Sequence, residues 1–416
     1  MGIKFRLKAM NFLEFFIWGS WLISLGGYMF SVLNASGSQI GLTYGTMGLA
    51  SLFMPALMGI IADKFVNAEK VLGICHLIGA GLLFWASKVN DPSSMYWVML
   101  LNAMFFMPTI ALNNTVSYIT LEKRGFDIIK DFPPIRVWGT VGFIVAVWVI
   151  DIFGWTLSSE QFLVSATASV CMAIYCFTMP ACEPGKKNEK FSWTSSFGLD
   201  AFVLFKRKKM IIFFIFAMLL GASLQITNAF GKPFLDDFGK IPEFKNAFGV
   251  VHSNILISIS QVSETLFILA IPFFLKRFGI RIVMLISIIA WVLRFALFGI
   301  GNPGDGLYLL VLSMIIYGMA FDFFNISGSL FVEKEADPKI RASAQGLFMV
   351  MTNGVGAYLG GALSGIVVDY FTIDGLRDWQ SIWFTFAAYA LVLAVVFPFI
   401  FKYKHENEGK MSSVSH

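Results

Sequence analysis

Residues 210–234 read MIIFFIFAMLLGASLQITNAFGKPF, and Lys206, Arg207, Lys208 and Lys209 stand immediately before them. About 20 apolar residues in helical form, rising roughly 1.5 Å each, cross the ~30 Å hydrocarbon layer of a bilayer. The run therefore predicts a membrane-crossing helix. The four cations on its flank predict which end stays in the cytoplasm.

Working outward from this segment, the same pattern recurs eleven more times. The predicted spans before it are 9–33, 39–62, 70–88, 94–121, 132–153 and 161–181. Those after it are 251–275, 281–300, 306–332, 341–369 and 377–402. The longest polar interval, 182–209, divides the chain into six spans and six. The expected architecture is all-α and polytopic: an amino-terminal six-helix bundle (1–181), a cytoplasmic linker (182–209) and a carboxy-terminal six-helix bundle with a short cytoplasmic tail (210–416). With the amino terminus inside, the inner segments hold 24 Lys and Arg and the outer ones only 5. A wrong number of spans would scramble that asymmetry, so both termini are predicted to be cytoplasmic.

Composition agrees with this layout. Of 416 residues, 57% are hydrophobic and 14% charged, with 45 Phe. Soluble domains carry about 25% charged residues. A net charge of +5, spread over short loops, offers no nucleic-acid surface. Cys75, Cys171, Cys176 and Cys182 form no Cys-x-x-Cys pair, and His76, His252, His405 and His416 have no ligand spacing, so no metal site is expected. The basic start, Met1 to Lys8, leads into an apolar run read as a retained first span.

The two halves echo each other. Leu121-Glu122-Lys123 ends the fourth span and Val332-Glu333-Lys334 the tenth, with Asn114 and Asn325 each eight residues before the Glu. Asp63-Lys64-Phe65 and Lys276-Arg277-Phe278 follow spans two and eight. A duplicated six-helix unit suits alternating access, in which two bundles rock about a midplane site.

Polar residues inside the spans point to that site. A charge at mid-membrane costs about 2.5–3.5 kcal/mol on insertion scales, so it marks a wet cavity or a buried partner. Glu264 lies mid-span, with Gln261 three residues earlier on the same helical face. Tyr317, Phe321 and Asn325 follow a four-residue step, and Asp322 lies beside them, so one face is expected to join an aromatic platform to a carboxyl and an amide. Gln225 and Asn228 are another pair three apart, and Arg136, Thr140 and Phe143 share a face of span five. Bland readings compete for the others. Glu14 lies close enough to the inner surface to reach water. Arg294 suits snorkelling or an inter-helix salt bridge. Asn102, Asn113, Asn114 and Thr115 either face a cavity or glue helices together.

Rings, amides, carboxyls and one arginine together suit a nucleoside, which presents both a flat base and ribose hydroxyls. A proton on Glu264 or Asp322 would neutralise the site and ease the movement of the bundles, although sodium could use the same oxygens. No Walker loop is present, so ATP does not drive the process directly. An intramembrane enzyme is disfavoured, because no nucleophile–His pair or metal cluster accompanies the two acids. A sugar or other small polar metabolite carrier is the nearest alternative.

Longer runs carry a resemblance. They include FFIWGSW (15–21), MPALMGI (54–60), DFPPIR (131–136), LQITN (224–228), ISQVSETLF (259–267) and AFDFFNISG (320–328). In these the chain resembles the bacterial nucleoside:proton symporters of the major facilitator superfamily, over nearly its whole length. The resemblance implies proton-driven nucleoside import across the inner membrane, with the proton as coupling ion and no other cofactor. It implies no nucleic acid and no obligate protein partner. Arg136, Thr140, Phe143, Gln225, Asn228, Gln261, Glu264, Tyr317, Phe321 and Asp322 match its nucleoside site, with Glu264 and Asp322 as coupling carboxyls. Some relatives resemble xanthosine permeases, so a narrower xanthosine permease stays open.

Overall fold

The structure is a computed structural model that describes residues 2–184 and 199–403. The linker cations Lys186, Lys187 and Lys190 and the tail from Lys404 lie outside the described residues. Ten of its helices are long and apolar enough to cross a membrane. One of them, Ser253–Ile300, has 48 residues, about 72 Å of helix and more than twice the hydrocarbon thickness. Gly279, with φ 74° and ψ 166°, breaks it into spans 8 and 9. Span 1 adds the twelfth crossing in two pieces, Ile3–Gly19 and Leu25–Ser31.

Span 2 is also broken, into Gly37–Ser51 and Met54–Lys64. Pro55 near the start of the second piece has no N–H to return to Ser51, which explains the interruption. Spans 3 to 6 are Ala68–Ala86, Pro92–Lys123, Pro133–Ile152 and Glu160–Phe177. A short 3₁₀ helix, Leu199–Lys206, leads into span 7, Lys208–Asp237, which therefore begins two residues inside the segment read as linker. Span 10 is Leu307–Glu335 and span 12 is Trp379–Ile400. Span 11 runs from Arg341–Met349 through a widened π turn, Val350–Gly356, into Ala357–Tyr370.

Within the halves, span 1 packs on span 5, span 3 on span 6, and span 9 on spans 10 and 12. Between the halves, span 2 packs on span 11, span 5 on span 8 and span 1 on span 7. The contact of spans 2 and 11 is a glycine seam. A Cβ at Gly41 would lie 2.0 Å from the Gly361 carbonyl oxygen, and one at Gly365 would lie 2.4 Å from that of Gly37. Only residues without side chains let two helix backbones approach so closely. At the end of the seam, Asp369 accepts from the backbone N–H groups of Gly37 (2.6 Å) and Ser38 (2.8 Å), the free donors of the span 2 amino terminus.

Glu14 does not reach water. Span 1 begins at Ile3, so Glu14 lies three turns inside the bundle and is fully buried. It is bonded to His76 Nε2 (2.9 Å) and accepts from Thr109 Oγ1 (2.6 Å). Asn113 donates to Asn11 (2.9 Å), so this amide of span 4 joins helices.

Candidate substrate chamber

Between the halves lies a chamber of about 330 Å³, within the range of small-molecule sites. Span 5 contributes Arg136, Thr140 and Phe143, span 7 Asn228, span 8 Gln261 and Glu264, and span 10 Tyr317 and Phe321. These eight were expected, and helical spacing explains each group: steps of three and four keep residues on one face. Arg136 and Glu264 enter from opposite halves. The Arg136 guanidinium lies over the Phe15 ring, 4.1 Å from its centroid. Tyr317 and Phe321 are stacked, with centroids 6.0 Å apart and planes 10° from parallel. Trp18 meets Phe143 edge-on at 6.4 Å. Gln261 Oε1 is buried without a hydrogen-bond partner, as a group awaiting a ligand would be.

Three expected residues are placed elsewhere. Gln225 is buried and donates to the Tyr44 backbone carbonyl of span 2 (2.8 Å), a contact between the halves and not a chamber group. Asp322 does not line the chamber. It follows Phe321 by one residue, a turn of about 100°, which rotates it off the face that Tyr317 and Phe321 share. It is buried, and its Oδ2 has no hydrogen-bond partner. Asn325 lines a small adjoining cavity, whose wall shares Leu224, Phe321 and Asn353 with the chamber.

The chamber also gathers Phe15, Trp18, Thr227 and Lys232, which the pattern does not single out, and Arg294, which it reads as a snorkelling or ion-paired residue. Trp18 and Thr227 lie within quoted motifs, but an aromatic or a hydroxyl inside a span raises no alarm by type alone. Lys232 is 2% exposed and holds both oxygens of Asp236 (2.6 and 2.7 Å). The chamber therefore contains more cations than the single arginine first inferred.

Hydrogen bonds between the halves gather at the end away from the linker. Three consecutive residues at the start of span 8 reach three different helices. His252 Nδ1 meets Asp151 of span 5 (2.6 Å) and Asn254 donates to Ser24 beside span 1 (2.8 Å), both across the halves, while Ser253 donates to Asp236 of span 7 within its own half (3.0 Å). Trp148 adds a bond to Ser258 (2.9 Å). The Asp151 side chain is wholly buried and its Oδ1 lacks a partner, so His252 Nδ1 is the contact that holds its other oxygen. Replacing His252 with alanine is expected to strand that carboxylate and loosen this end, shifting the open-to-closed ratio by on the order of tenfold. Adding Asp151→Asn should restore closure. Spin-label distances across the clasp measure both, and an unchanged distance in His252→Ala would remove the pair from the gate.

Comparison with known proteins places this geometry. A family model described as nucleoside H+ symporter matches residues 1–406. The chain is 56% identical over 418 residues to a xanthosine permease of Escherichia coli (strain K12), covering 100% of both chains. It is 55% identical over 406 residues to the nucleoside permease NupG of the same strain, covering 97% of each. A crystal structure of the nucleoside transporter NupG superposes with a TM-score of 0.92 at 55% identity, covering 97% of this chain and 100% of that one.

Proposed function

The chain belongs to the nucleoside H+ symporter family, and from that premise we propose that it imports nucleosides across the inner membrane, driven by the proton gradient, through alternating access to the chamber. The observation that carries this reading is the composition of the chamber wall. Stacked rings from span 10 and the Phe143 ring suit the faces of a base. Asn228, Gln261 and Thr140 suit its edges and the ribose hydroxyls.

Glu264 is the coupling group that faces the substrate. Its ionised form and the Arg136 guanidinium oppose each other across the halves. A proton on the carboxyl removes that charge, so the chamber can close over nucleoside and reopen on the other side without dragging a bare carboxylate through low dielectric. Asp322, one helical position off the platform on span 10, is the second coupling carboxyl of this reading. The basic loops put the linker end in the cytoplasm, so the glycine seam and the span 8 clasp close the outer mouth.

Uptake of labelled uridine and adenosine into energised vesicles is the test. Accumulation should collapse with a protonophore, while excess ribose should leave it nearly unchanged. Accumulation that persists without a proton gradient would sink the coupling, and competition by ribose would favour a sugar carrier. A panel that includes xanthosine separates broad from narrow preference. The two Escherichia coli relatives, 56% and 55% identical to this chain, differ on this point by name.

A further inference from the structure

Arg294 was expected to snorkel or to form an inter-helix ion pair. It does neither. It is 1% exposed, and among the described residues no carboxylate lies within ion-pairing distance. Its Nη1 donates to the Ser313 carbonyl (2.8 Å) and, at longer range, to Ser260 Oγ (3.5 Å). Its Nε has no partner. Desolvating an unpaired guanidinium costs several kcal/mol, and an apolar side chain would fasten two helices at less expense. Its surroundings indicate what it does there.

The guanidinium carbon lies 4.6 Å from the centroid of Tyr317 and 5.0 Å from that of Phe298, within the reach of cation–π attraction. Trp291, three residues earlier on the same face of span 9, meets Tyr317 edge-on at 6.1 Å. Span 9 thus holds one tyrosine by two contacts of different kinds. That tyrosine is stacked on Phe321, and all three of Arg294, Tyr317 and Phe321 line the chamber. The two helices are tied on either side of the Trp291–Tyr317 contact: Ser313 Oγ donates to the Arg294 carbonyl (3.0 Å) and Ser287 Oγ to the Ala320 carbonyl (2.5 Å).

We propose that Arg294 is a positioning residue of the nucleoside site, whose planar guanidinium over the Tyr317 ring fixes the Tyr317–Phe321 platform in the orientation that receives the base. This rests on the nucleoside reading above and adds to it a residue that acts through another. Lysine keeps the charge but replaces a broad, weakly hydrated plane with a compact ammonium, so it does not reproduce the contact.

The test is calorimetric binding of uridine to purified protein. Arg294→Lys is expected to weaken uridine binding about tenfold in protein that melts within a few degrees of wild type. The same substitution made with Tyr317→Leu should add little further loss, because the two residues act as one unit. Arg294→Gln takes the place of the lysine variant if the latter does not assemble. Unchanged affinity in folded Arg294→Lys, or losses that simply add in the double variant, would overturn the inference while leaving the nucleoside reading intact. Wild-type protein that binds no nucleoside would overturn both.

Discussion

Asp322→Asn is expected to remain in the membrane, to bind nucleoside within a few-fold of wild type, and to lower gradient-driven accumulation by on the order of 100-fold. The expectation follows from where the side chain sits. Asp322 is 5% exposed and is not part of the chamber wall, so the substitution is directed at its proton and not at the wall. Asparagine preserves the shape and removes only the capacity to gain and lose a proton. A buried carboxyl with an unpartnered oxygen is expensive to keep in a membrane protein, and the proposed proton traffic would account for its presence. The measurement is uptake of labelled uridine into vesicles with an imposed pH gradient, beside counterflow exchange without one. Loss of accumulation with retained exchange supports a coupling role. Full accumulation in the variant would take Asp322 out of the mechanism and leave Glu264 alone.

Gly41→Val should have an effect of similar size by a different route. The new side chain starts 2.0 Å from the Gly361 carbonyl oxygen, and the struck atom belongs to the backbone of the other half. Overpacking costs about 1–3 kcal/mol even where a core can adjust, and here relief comes from parting the two halves. The outer mouth should stay open and transport should stop, with nucleoside binding retained. A cysteine placed at Ile23, a chamber residue on the side of the seam, should then react faster with a thiol reagent added outside the cell. Wild-type uptake together with unchanged labelling would show that the seam tolerates a side chain and does not govern closure.

Much of this molecule was legible in its sequence because a bilayer allows few solutions. Twelve apolar runs, a skewed distribution of cations and one long polar interval specify two helical halves. Helical period also grouped Arg136 with Thr140 and Phe143, Gln261 with Glu264, and Tyr317 with Phe321 correctly. Period says which residues share a face. It does not say which way that face turns, because packing sets the rotation of each helix. Asp322 was grouped with a platform that it follows by one residue, and Gln225 with a chamber that it turns away from. Glu14 was misplaced because the first helix starts at Ile3, so its depth was underestimated. Arg294 was discounted on distance from the span end, which ignores the aromatic surroundings that hold it. Trp18 and Phe15 gave no signal, since an aromatic residue in a span costs nothing to bury.

The break in span 2 at Leu52 and Phe53 and the π turn of span 11 at Val350–Gly356 lie at the same depth, where a Cβ at Gly354 would come 2.5 Å from Leu52 Cδ2. Interruptions of this kind are where helices bend. Two opposed joints at one level divide each rod into an upper arm, joined to its neighbour by bare backbone, and a lower arm packed on its own half, Met54–Lys64 on span 4 and Arg341–Met349 on span 10. The gate at the linker end can then be worked by local flexing of Met54–Lys64 and Arg341–Met349 while the upper arms stay clamped, so the two mouths need not be driven by one common tilt.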